Sequence, residues 1–183
     1  MLINVIFDDR HEGDKQRLLK EFQEQGIEEY TFWNAIILNH SVVASINASH
    51  KRIVKWAKLV GLKEVVVAEQ DLQFTDKGAW EFFLSNKPEN YKLYLWGSYV
   101  TPISNNKVCG FQLYIIHESF YDKFLSVPDD SHIDTAMDSL NDTYDYCYPF
   151  PALQRPGFSA NNKDQVNYNS ILKKEDIYVS MPK

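Results

Sequence analysis

The chain has 183 residues, with 19 Lys and Arg against 25 Asp and Glu, for a formal net charge of −6. That length predicts one domain, or one domain with a short tail, able to bury a core without disulfide or metal staples. The acidic balance excludes the usual duplex-binding protein, which is basic; 44% hydrophobic and 14% aromatic residues exclude a disordered chain.

The two cysteines, Cys109 and Cys147, are too few for a zinc knuckle and read as free buried thiols. No window approaches the apolar length of a membrane span, and the first residues lack a basic start and a cleavage site. A cytoplasmic protein is the expectation. The triplets starting at Asn47 and Asn141 match a glycosylation acceptor by chance in such a chain.

Residues 2–7 are a short apolar run ending at Asp8-Asp9, a buried strand opening into a loop. Residues 14–25 place Leu18, Leu19 and Phe22 at helical spacing, with Asp14 as cap and Gly26 as stop. Residues 29–38 are β-like. Residues 42–60 read as a helix whose broad apolar face carries Val43, Ile46, His50, Ile53, Val54, Ala57 and Val60, ended by Gly61. Residues 64–68 form a β-branched run suited to a central strand covered on both faces, and lead directly into Glu69-Gln70-Asp71. A helix at 76–86, strands at 91–96 and 109–116, a short helix at 119–125, a turn at 128–130 and a helix at 132–140 follow. From Pro149 to the end the chain reads as an irregular loop and tail wrapped on the domain. Strands alternating with helices give an α/β sandwich with a mostly parallel sheet.

Three constellations carry chemistry. Glu69 and Asp71 sit i, i+2 at the carboxyl end of the apolar strand, where open α/β sheets bind ligands. On extended backbone they point the same way and can share one hard cation, which in turn binds a diphosphate; alternatively they simply end a strand in polar turn residues. Ser49-His50, on the preceding helix, offers a ligand or a phosphate donor, or a structural histidine. Asp129, Asp130, Asp134 and Asp138 could supply the carboxylate base that a sugar hydroxyl needs during attack. Equally, Asp129 and Asp130 are turn residues, Asp130 or Ser131 a helix cap, and Asp134 an acid at the helix's positive end.

In order, these pieces resemble glycosyltransferase family 25, the lipooligosaccharide galactosyltransferase type. The likeness runs over roughly residues 2–160. It includes the opening strand with Arg10 and Arg17, the segment 32–36, and Ser49-His50 followed by Val65-Val66-Val67-Ala68-Glu69-Gln70-Asp71. It continues through residues 91–97, Gly110–Ile116 with the helix ending at Leu125, Asp134, and Tyr148-Pro149 through Leu153-Gln154 to Ser159.

The resemblance implies a GT-A fold, a Rossmann-like mostly parallel sheet that binds a nucleotide-sugar, commonly UDP-galactose, with a divalent metal. It implies transfer of a hexose to a glycan or glycolipid acceptor in surface polysaccharide or lipopolysaccharide biosynthesis. Mn²⁺ or Mg²⁺ would sit on Glu69 and Asp71. Members of this type mostly invert, which needs a base; carried over, that base is Asp134, with Asp130 as the alternative. Asp8, Arg10, Ser49 and His50 would line the nucleotide side. The aromatic loop of Tyr146, Tyr148 and Phe150 could close over the donor or pack on the core. A lipid-linked acceptor would bring peripheral contact with the inner membrane face, although no basic amphipathic helix supports it.

The sequence departs from the family at Gln70, where an Asp is usual, in its short length, and in lacking a further C-terminal metal ligand beyond Asp164. An inactive GT-A-like domain binding a nucleotide-sugar or a partner is the alternative, and an unrelated α/β interaction scaffold the third reading.

Overall fold

The computed structural model describes residues 1–99, 108–159 and 161–180, with Glu12 described by its backbone alone. The elements in chain order are β1 (Ile3–Phe7), α1 (Glu12–Glu24), β2 (Tyr30–Asn34), α2 (Val42–Leu59), β3 (Glu64–Glu69), β4 (Leu72–Phe74) and α3 (Ala79–Ser85). They continue with β5 (Leu93–Leu95), β6 (Leu113–His117), α4 (Tyr121–Leu125), β7 (Asp145–Tyr146), β8 (Ala152–Gln154), β9 (Gly157–Ser159) and β10 (Asp164–Val166).

Six strands form one sheet in the order β2-β1-β3-β6-β5-β7. β1 runs parallel between β2 and β3, with Ile3 opposite Tyr30 on one side and Val66 on the other. β6 is antiparallel to both β3 and β5, and β7 is parallel to β5. Five strands therefore share a direction and β6 opposes them. This is the expected α/β class, a mostly parallel central sheet flanked by helices.

Alternation along the strands divides the core between the two faces. Ile3, Val5, Val66 and Ala68 pack with Leu18 and Phe22 of α1 and with Trp80 and Phe83 of α3. Val65, Val67, Tyr114 and Ile116 pack with Ile53, Val54 and Ala57 of α2 and with Phe124 of α4. Val65 through Ala68 are all buried, as a doubly covered strand requires.

The first two helices end alike. Gly26 (φ 69°) and Gly61 (φ 71°) adopt the left-handed conformation. The next amide turns back onto the helix, Ile27 N–H donating to Phe22 C=O at 2.8 Å and Leu62 N–H to Ala57 C=O at 3.0 Å. At the start of α2 the Ser41 hydroxyl accepts the Ala44 N–H at 3.1 Å.

Several expectations need correction. α1 begins at Glu12 rather than after an Asp14 cap, because a 3-10 turn at Asp9–His11 feeds straight into it. Asp14 is thereby freed to meet Arg17 at 3.9 Å and the Arg155 guanidinium. β2 stops at Asn34 because the Ile36 and Leu38 N–H groups donate to the Ser49 and Ser45 hydroxyls, each at 2.9 Å, instead of to a strand.

Ile46 and Val60 of the expected apolar face are exposed, whereas α2 buries Ser45, Asn47, Ser49, His50 and Lys51. The helix expected at 132–140 is a 3-10 helix, Thr135–Leu140, capped by Asp134. The segment after Pro149 is tied down by structure: β8 pairs antiparallel with β4, and β9 with β10. Residues 160 and 181–183 of that segment lie outside the described residues. Both cysteines carry free thiols, and burial pushes each up to about 11.

Candidate functional site

The parallel strands deliver their carboxyl ends to one edge of the sheet, and the opposed β6 delivers its amino end to the same place. Glu69, the last residue of β3, donates its N–H to Gln112 C=O at 3.0 Å. Its side chain is held from two elements. Oε1 lies 2.9 Å from His50 Nε2 of α2, and Oε2 accepts from Gln112 Nε2 at 3.1 Å. A carboxylate only accepts, so His50 Nε2–H is the donor, and Nδ1 faces the Tyr114 hydroxyl at 3.1 Å. His50 is 1% exposed and Tyr114 0%, while the Glu69 side chain keeps 22% of its surface open. This pair is the reason a polar residue occupies the buried face of α2: the ring spans the distance from the core hydroxyl to the strand end.

β3 stops at Glu69 and Gln70-Asp71 turn into β4. The expectation that Glu69 and Asp71 project together from extended backbone is therefore corrected. Gln70 Oε1 accepts the Asp8 N–H at 2.6 Å and joins the β1 exit to the β3 exit. Asp71 Oδ2 accepts from Gln154 Nε2 at 2.8 Å, and Oδ1 is buried with no hydrogen-bond partner. Arg17 of α1 spans the turn, donating to Gln70 C=O at 2.7 Å and Leu72 C=O at 3.1 Å. Burial, and after it the negative charge of Glu69, push the Asp71 carboxyl up to about 7.

The other expected residues separate. Asp8 follows β1 and is gripped by Arg10, whose Nε reaches Oδ1 at 2.8 Å; that bond holds Asp8 below the usual carboxylate range. Arg10 itself is open to solvent on the same edge. Ser49 is 1% exposed and gives its hydroxyl to Ser45 C=O at 2.7 Å while accepting from Ile36, so it ties α2 to the chain after β2 and turns inward.

Asp134 accepts Thr135 N–H and Gly110 N–H, each at 2.8 Å, which brings it to the chain just before Gln112. Asp130 lies exposed in the turn before it. Asp129 meets Lys51 at 2.6 Å, in a clamp completed by Asn47 on Pro128 and Ser131 C=O at 2.8 and 2.9 Å. Asn47 is therefore buried in that clamp.

In the aromatic loop, Tyr146 pairs in the sheet with Leu95. Phe150 lies edge-on to Trp96 at 5.5 Å, and a Cβ on Gly97 would come within 2.6 Å of its ring. Tyr148 remains exposed.

The chemistry of the donor set at Glu69 and Asp71 fits a hard cation. Two acids act on each other, and one has a buried oxygen without a hydrogen-bond partner. Among the described residues no group of three or more His, Cys, Asp or Glu side chains could hold a metal ion. A cation here would draw two carboxylates from the protein and its remaining oxygens from ligand and water, the pattern usual for magnesium. Gln112 and Tyr114 carried no signal in the sequence, where they sit inside an apolar run. Gln154 and Arg17 were visible only as parts of the family resemblance.

No protein-family model matches the chain, and no curated protein matches it in sequence. Solved structures similar to it include a glycosyltransferase involved in the glycosylation of the major capsid of PBCV-1, 12% identical with a TM-score of 0.46, the match covering 67% of this chain and 62% of that one. The chain thus spans less than two thirds of that protein. The catalytic domain of Drosophila β1,4-galactosyltransferase 7 in complex with xylobiose is 12% identical with a TM-score of 0.46, over 99% of this chain and 76% of that one. A variant of the same enzyme in complex with manganese, UDP-Gal and xylobiose is 11% identical with a TM-score of 0.46, over 98% and 76%. None of these likenesses assigns an activity to this chain. Among the described residues no helix is long and apolar enough to cross a membrane.

Proposed function

We propose that this chain is a GT-A-type glycosyltransferase that binds a nucleotide-sugar, UDP-linked, at the carboxyl edge of β1 and β3 and transfers its hexose to a glycan or glycolipid acceptor. The carrying observation is the Asp71 carboxyl, buried beside Glu69 with one oxygen unpartnered, at the strand edge where open α/β sheets receive ligands.

In this reading Glu69 and Asp71 hold Mn²⁺ or Mg²⁺, which when bound offsets charge on the departing diphosphate. His50 and Gln112 fix the Glu69 carboxylate, so it does not reorganise when the donor arrives. Arg10, open to solvent beside Asp8, adds positive charge on the diphosphate side. Asp134, fixed against Gly110, is the candidate base for the acceptor hydroxyl.

A second reading, a domain that binds the donor without transferring it, is favoured by one observation. Both Asp134 oxygens already accept backbone N–H groups, which makes it a cap before it is a base.

The test is the thermal midpoint of the protein with Mn²⁺ and a panel of nucleoside diphosphates, repeated on Asp71→Ala. Ligand at a hundred times its Kd adds about 2.7 kcal/mol, a rise of roughly 5–10 °C for a chain of this size. That rise, with UDP and only with metal, is expected in the wild type and absent in the variant. No rise with any nucleotide removes the donor site. Release of UDP from UDP-galactose then separates transfer or hydrolysis from binding alone.

A further inference from the structure

We infer that Gln154, from the segment that follows the main sheet, is a positioning residue for the cation-binding carboxylate: its side-chain amide sets the rotamer of Asp71, so the C-terminal segment takes part in shaping the cation site. This rests on the cation and donor reading above.

Four bonds place residue 154 without using its side chain. Its N–H donates to the Tyr99 hydroxyl at 2.7 Å, and its C=O accepts from Asn169 Nδ2 at 3.0 Å. Tyr99 in turn donates to Asn169 Oδ1 at 2.6 Å, closing the loop of bonds. β8 runs beside β4 with Gln154 opposite Leu72, and the neighbouring Arg155 N–H donates to Asp71 C=O at 2.8 Å.

With the backbone fixed by others, the amide is free for one task. Nε2 donates to Asp71 Oδ2 at 2.8 Å and leaves Oδ1 as the unpartnered oxygen. A carboxylate that binds a cation through one oxygen needs a donor on the other to hold its plane, and such outer partners carry much of the affinity. Arg17 directs its Nη groups to the Gln70 and Leu72 carbonyls, and the hydrogen bond to Oδ2 comes from Gln154.

The experiment is a Mn²⁺ titration of the full chain with UDP present, reading free Mn²⁺ by electron paramagnetic resonance. It compares wild type with Gln154→Met, which keeps side-chain length and removes the donor. Thermal midpoints are taken in EDTA alongside. The expected result is a 10–100-fold weaker Mn²⁺ affinity with the EDTA midpoint within a few degrees of wild type, since the backbone bonds persist.

Gln154→Asn, which withdraws the amide by one methylene, carries the same expectation and serves if the Met variant does not fold. Mn²⁺ affinity within twofold of wild type in a folded variant overturns the inference and leaves the donor site standing. So does a wild type that binds UDP without Mn²⁺. A wild type that binds neither UDP nor Mn²⁺ overturns the donor reading and this inference together.

Discussion

Asp71→Asn should change how the stability of the apo protein depends on pH. In EDTA and without nucleotide, the Asp71 carboxyl of the folded chain titrates at about 7 against an ordinary 3.8. A folded-state value above the unfolded one means that the folded chain binds more protons between them. Stability is therefore full below the unfolded value and falls as pH rises toward the folded one.

At about 1.4 kcal/mol per decade of proton affinity the loss is about 4 kcal/mol between pH 4 and 7. It levels off above 7. Asparagine has nearly the same shape and can still accept from Gln154 through its carbonyl, but it carries no proton to lose. Urea unfolding at pH 4.5, 6 and 8 on both proteins gives the test, because the titrating groups that do not interact with Asp71 cancel in the difference. The variant should gain on the wild type by about 3–4 kcal/mol as pH rises from 4.5 to 8. Saturating Mn²⁺ favours the ionised form and should flatten the wild-type slope. A difference that stays within about 1 kcal/mol across the range, the scatter of denaturant extrapolation, refutes the picture of an acid raised by burial and by the charge of Glu69.

Two further outcomes follow from packing. His50→Leu leaves the buried Tyr114 hydroxyl and Glu69 Oε1 without their partner and should cost about 2–4 kcal/mol; adding Tyr114→Phe should recover part of that, measured by the same urea transitions. Gly97→Ala drives a methyl to within 2.6 Å of the Phe150 ring and should cost about 1–3 kcal/mol. Phe150→Leu in the same chain should offset it, a coupling that a double-mutant cycle reads directly.

The sheet was legible where its physics is local. The β-branched run of β3 announced a strand buried on both faces, and Gly26 and Gly61 marked the ends of α1 and α2 because only a residue without Cβ takes φ near 70° cheaply. β4, β7 and β8 were not legible, since two or three residues show no period, and their pairing is fixed by partners far along the chain.

The buried face of α2 misled a reading by apolar periodicity. Ser45, Ser49, Asn47 and Lys51 are inside because they satisfy backbone groups of the chain after β2 and of the turn at 127–131, and no helical pattern encodes those distant carbonyls and amides. At the site, Glu69 and Asp71 stood out as acids after a strand. Their hydrogen-bond partners did not, because a glutamine in an apolar run or in a Pro-rich segment looks like any other polar residue until the fold brings it to a carboxylate.

The middle of the acidic triplet shows what a change of residue type does at such a place. Gln70 stands where an acid is usual in the family the sequence resembles, and by charge alone the change would weaken a cation site. The side chain, however, is committed to Asp8 N–H across the gap between β1 and β3. An aspartate there is one methylene shorter and would add a third negative charge to a pair that already repels. Gln70 thus fixes the two strand exits relative to each other while sparing Asp71 that repulsion. Arg17, lying across the Gln70 and Leu72 carbonyls, holds the same turn from the helix side. The charge removed at position 70 is exchanged for a fixed distance between the β1 exit, with Asp8 and Arg10, and the β3 exit, with Glu69 and Asp71. A ligand that touches both exits, as the proposed nucleotide-sugar would, meets them already held in one geometry.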